Sequence, residues 1–180
     1  ADAYTQREVI LALLTMAKVC YFSCSLDLAV YCNLASLALA KHSNFWSELS
    51  EAYAQCIVTA GLCDQHQLAS QYIQEGTKLA QDHLALMSTM NVNSGLYYLS
   101  RCAWQLSKRF FKSSMETSQA MGDRRRFEDV LIYNGQIRLI RGKFKQAVAK
   151  VTLELNSARL RGDVHCQILA LIVQIVAHLS

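Results

Sequence analysis

A period of about one helical hairpin constrains this chain more than any other feature of it. Ala29, Ala69, Ser107 and Ala147 form a column of mostly small residues at intervals of 40, 38 and 40 positions. A second column, Ala17, Ile57, Gly95 and Gly135, runs 12 residues ahead of the first throughout. Residues 98–123 show the logic of the spacing. Ser107 and Ser114 flank the aromatic Phe111, and Gly95 stands just upstream. Small residues facing one another let two antiparallel helices approach closely, and self-similarity at this period is the signature of a repeat architecture.

The chain has no proline and only seven glycines in 180 residues, so the strongest helix breakers are scarce. The expected fold is all-α: a right-handed α-solenoid of about four and a half antiparallel hairpins with a period of 38–40 residues. Its repeats fall over 5–43, 45–82, 84–123 and 124–163, with a partial one over 164–180. Within them the expected helices cover 5–22 and 26–41, 45–63 and 66–81, 84–104 and 106–121, then 124–141 and 144–160. Ser25 is placed to cap the second helix, and Gly122, Gly142 and Gly162 supply turns that tolerate positive φ. The stretch 164–180 reads as the first helix of another hairpin. Its Ile168, Leu169, Leu171, Ile172, Ile175 and Val176 offer more apolar surface than one helix face can bury. A repeat array normally ends in a polar cap, so this pattern points to a piece of a longer array that self-associates through its last helix when isolated.

Composition limits the remaining classes. The chain is 52% hydrophobic and 18% charged, far from a disordered composition. No apolar run reaches the ~20 residues a bilayer span needs, since 168–179 is shorter and holds Gln174 and His178. The first ten residues lack the basic region of a signal peptide. Seven cysteines, an odd number set within helical patterns, read as reduced thiols and a cytoplasmic setting. Charge is polarised: residues 1–82 carry four basic and eight acidic side chains, whereas 83–180 carry fourteen basic and six acidic. That gradient can steer an acidic partner to the second half, or align successive copies or domains head to tail.

Motifs for chemistry are sparse. Gly-rich phosphate loops, HExxH and CxxC are all missing from the sequence. Cys63 with His66, or Cys20 and Cys24 with Cys32 nearby, have spacings that can converge on zinc, but buried thiols packing as small apolar groups are the preferred reading. His165 and Cys166 are sequence neighbours, which point about 100° apart on a helix and make a poor nucleophile–base pair. Glu48, Glu51, Glu128 and Asp129 lie at helix starts, where the macrodipole favours negative charge. No catalytic, cofactor-binding or metal residue is therefore assigned. The binding candidates are Arg124, Arg125, Arg126, Arg138, Arg141, Lys143 and Lys145, which can contact phosphates, acidic peptides or an acidic domain. Phe127, Tyr133 and Phe144 are interleaved with them, and Phe127 and Phe144 are expected in the core rather than stacked on bases. Three arginines at a helix N-terminus are electrostatically disfavoured, which predicts an acidic partner for them.

The small columns at Ala17, Gly95 and Gly135 and at Ala29, Ala69 and Ala147, with Ile73, Phe111 and Val151 four positions on, resemble tetratricopeptide repeats. The period is longer than the usual ~34 residues and the repeat-ending proline is missing. The run Met121, Gly122, Asp123, Arg124, Arg125, Arg126, Phe127, Glu128 resembles a junction in the C-terminal repeat regions of class III nucleotide cyclases that carry a predicted ATPase module of the STAND type. Residues 51–81 resemble the same regions. The resemblance implies a non-catalytic, cofactor-free interaction or interdomain segment of an adenylate or guanylate cyclase-like signalling protein. Its partners would be proteins, peptides or other domains of the same polypeptide. The alternative is a repeat that binds nucleic acid or another polyanion through its basic half.

Overall fold

A computed structural model describes residues 2–180, and the described chain is all-α. Helices α1 (Ala3–Phe22) and α2 (Leu26–Lys41) form the first hairpin, and α3 (Trp46–Leu62) and α4 (His66–Ala80) the second. The third is α5 (Leu84–Ser100) with α6 (Trp104–Met121), the fourth is α7 (Arg124–Ile140) with α8 (Phe144–Arg161), and α9 (Val164–Leu179) follows. Each helix buries a stripe at helical spacing, such as Ile10, Leu14 and Ala17 on α1 or Cys166, Ala170 and Val173 on α9. No described helix is long and apolar enough to cross a membrane.

Six of the junctions close by the same hydrogen bond. The amides of Ser25, Gln65, Ala103, Asp123, Lys143 and Asp163 donate to the carbonyls of Cys20, Ala60, Tyr98, Ser118, Arg138 and Ala158 at 2.8–2.9 Å. This is the six-to-one bond of a Schellman turn, and it requires a left-handed residue just before the donor. Gly122, Gly142 and Gly162 fill that place, but so do Cys24, Asp64 and Cys102 at φ of 60°, 59° and 56°. The third hairpin departs from the sequence expectation here. Its first helix ends at Ser100 rather than 104, because Cys102 turns the chain without a glycine to announce it. A cysteine in the left-handed region carries a Cβ clash that glycine lacks. Cys24→Gly and Cys102→Gly are each expected to raise stability by about 0.5–1 kcal/mol, read as an upward shift of the urea midpoint at unchanged slope.

The helices stack in a simple order. Each odd-numbered helix touches the next odd one, and each even helix touches only the odd helices flanking it, among the described residues. Close approach within the hairpins depends on the small columns. Ser107 donates its hydroxyl to the Gly95 carbonyl at 2.9 Å, and a Cβ on Gly95 would clash with the edge of the Phe111 ring. At Gly135 a Cβ would stand 2.5 Å from Val151 Cγ1 and 3.8 Å from the Ala147 carbonyl oxygen. The glycines thus do face Ser107 and Ala147 along the backbone. The side chains that occupy the space are one helical turn further on. Between α5 and α6 the packing is polar as well as tight, with buried Ser88 hydrogen-bonded to Ser114 and Ser118, each at 2.9 Å.

The interior falls into three clusters rather than one. The largest runs from Ile10 on α1 to Tyr97 on α5. A second joins Leu99 and Phe111 to Val130 and Ile137, and the third packs α7, α8 and α9 around Ile132, Val151 and Val173. Direct contact between α5 and α7 is slight, so α6 carries most of the join between the halves.

Candidate functional site

The junction of α7, α8 and α9 concentrates the ionisable groups of the chain. Asp123 ends the third hairpin and caps α7, accepting a hydrogen bond from the Arg126 amide at 3.0 Å. Asp163 does the same for α9, accepting from the Cys166 amide at 3.2 Å. Between these caps, Glu128 lies on the inward face of α7 and is wholly buried. Arg161 reaches it from α8 with both terminal nitrogens, at 2.9 and 2.5 Å, while Ser157 donates at 2.7 Å and Arg124 at 2.5 Å. Burial alone would raise the Glu128 carboxyl. The hydrogen bonds from Arg161, Ser157 and Arg124 outweigh it and hold the group below the ordinary carboxylate value.

Next to this hub, Cys166 donates its thiol to Asp129 at 2.9 Å. Burial raises both groups from their ordinary values, and the carboxylate adds to the rise of the thiol. A thiol held protonated in this way is the reverse of an activated nucleophile. All seven cysteines are free: Cys20, Cys32, Cys56 and Cys166 are buried, and Cys24, Cys63 and Cys102 are exposed at hairpin turns. A thiol reagent should therefore label three groups at once and the remaining four only on denaturation. Fast labelling of more than three would contradict the packing. Among the described residues no group of three or more histidine, cysteine or carboxylate side chains could hold a metal ion.

The seven basic candidates do not share one surface. Arg124, Arg125 and Arg126 start α7, whereas Arg138 ends it and Arg141, Lys143 and Lys145 lie beyond, one helix length or about 20 Å away. The acidic partner expected for the arginine run is in the chain itself. Arg124 pairs with Glu128, Arg125 with Asp163 at 3.2 Å and Arg126 with Asp123 at 3.7 Å. Arg126 also crosses to α5, donating to the Ala85 carbonyl at 3.0 Å and to the Thr89 hydroxyl. At the other end Arg138 donates to the Asn134 carbonyl at 3.0 Å, and Arg141, Lys143 and Lys145 are exposed with no acidic partner among the described residues. Phe127 and Phe144 are only half-buried, and the Arg124 guanidinium lies over the Phe127 ring at 5.8 Å. Tyr133 stacks on Phe111 at 5.6 Å.

Sequence reasoning passed over Glu128 as a helix-start carboxylate, yet a signal was present. Stepping back by the repeat intervals of 40, 38 and 40 from Glu128 gives Ser88, Ser50 and Ile10. All four are buried. An acid in a column of interior positions demands a cation beside it, and Arg161 is that cation.

The larger exposed features are apolar. On α9, Val164, Ile168, Ile172, Ile175 and Leu179 form one stripe at helical spacing, each 48–83% exposed. On α1, Val9, Met16 and Val19 form another, and on α2 Leu28, Tyr31 and Leu34 are exposed. No family model matches this chain. No curated protein matches it either.

Proposed function

We propose that this array is a non-catalytic interaction scaffold, or an interdomain segment of a larger signalling protein, whose partners are proteins, peptides or other domains of its own polypeptide. The observation that carries the reading is the α9 stripe. Contiguous apolar surface of this kind marks a contact face, because leaving five branched side chains in water forgoes about 25 cal/mol for each Å2 that a partner would cover. The run from Met121 to Glu128 supports a cyclase-like parent by resemblance. Free thiols throughout favour a cytoplasmic setting.

The test is the state of association. Sedimentation of the isolated chain should show self-association with binding of a hydrophobic dye, and Ile168→Asp with Ile175→Asp should abolish both while leaving helicity intact. A monodisperse wild-type monomer that binds no dye would remove the reading.

The exposed Arg141, Lys143 and Lys145 favour a second reading, polyanion binding at the α7–α8 turn. Oligonucleotide binding that weakens steeply with salt, with a log–log slope reduced by about one for each cation removed, would establish it. An apolar contact would change little over the same salt range.

A further inference from the structure

The two ends of the row touch. Repeat units contact their neighbours and little else, yet the Phe22 ring at the end of α1 meets the His165 ring at the start of α9 edge to face, with centroids 5.2 Å apart and planes at 77°. Tyr21 packs edge-on against Phe22 at 5.5 Å. The even-numbered helices take no part in the Phe22–His165 contact, so the row curls toward the face made by the odd-numbered helices.

We infer that the Phe22 tip of α1 is a latch that holds this face closed against α9, so that its release separates the ends of the row. The latch does not rest on the scaffold reading. Two features make the contact a latch rather than core. Phe22 remains 61% exposed, so little surface is lost when it lets go. No buried cluster joins the first two hairpins to the fourth, and α5 meets α7 only slightly, with Arg126 bridging to Ala85 and Thr89. The ring pair shifts the closed–open equilibrium by a factor of roughly 2 to 10, a range in which one substitution or one competing side chain changes the dominant state.

The experiment is small-angle X-ray scattering on the monomer peak, with no partner present, for the wild type, Phe22→Ala, His165→Ala and the double variant, each checked for helicity by circular dichroism. Both single variants should increase the radius of gyration and the maximum dimension, and the double variant should go no further, because both changes break one contact. Tyr31→Ala, an exposed tyrosine on α2 outside the contact, should leave scattering unchanged. Helical single variants that superimpose on the wild type would overturn the latch. So would a wild-type curve that already requires separated ends. If Phe22→Ala lost helicity, His165→Ala would decide from the opposite side of the contact. The scaffold reading fails by a different result, the absence of self-association.

Discussion

Gly95→Leu is expected to destabilise the chain by about 3 kcal/mol, lowering the melting temperature by roughly 6–12 °C. The cause is geometric. Even the first added carbon at residue 95 would clash with the edge of the Phe111 ring, and that ring has nowhere to retreat. Phe111 is fully buried, it stacks on Tyr133 at 5.6 Å, and its helix is tied to α5 by the Ser107 bond to the Gly95 carbonyl. Gly135→Leu should behave similarly, with Val151 Cγ1 at 2.5 Å from the added Cβ. Thermal unfolding of either variant at the wild-type temperature would mean that the hairpins are not in this register.

Glu128→Ala is expected to cost about 3 kcal/mol, the low end for breaking a buried ion pair, because the orphaned guanidiniums of Arg124 and Arg161 can still reach water. The pH dependence separates this from a cavity effect. The folded state holds Glu128 below the ordinary value of 4.5, so the contribution of the carboxylate is complete above that pH. It is lost as pH falls below 4.5 through the lowered folded value. The difference between wild type and Glu128→Gln should accordingly shrink on acidification. Glu154 works in the opposite sense. Burial raises it above 4.5, against the pull of Lys150, so its penalty appears as pH rises past that value. Glu154→Gln should therefore stabilise the chain at neutral pH and lose that advantage in acid. Urea midpoints of the two variants across pH 3–7 would show the opposite trends, and parallel curves would refute the assignment.

Much of the architecture can be read from the chain before any coordinates. The recurrence of small residues at 17, 95 and 135, with Ile57 the exception in that column, and at 29, 69, 107 and 147 places the helices in pairs, because close helix approach demands small side chains in register. Glycine at 122, 142 and 162 locates turns, because the left-handed conformation costs other residues a Cβ clash. The turn at Cys102 was illegible by the same rule: a left-handed cysteine is tolerated only because the bond from the Ala103 amide to the Tyr98 carbonyl compensates, and a propensity does not record a tertiary compensation.

For the candidate site the division is sharper. Sequence alone determined which residues are charged and that seven cations cluster between 124 and 145. The pairs Arg124–Glu128 and Arg126–Asp123 are local, four and three residues apart. Only the tertiary structure decided that Asp163 reaches Arg125 and that Arg161 reaches Glu128, because α7, α8 and α9 fold their ends together, while the length of α7 carries Arg141, Lys143 and Lys145 to the far end of the hairpin. Those two pairings span chain separations of more than thirty residues. The meeting of Phe22 with His165, far apart in the chain, depends on how the hairpins stack side chain against side chain, which the period of the sequence does not specify.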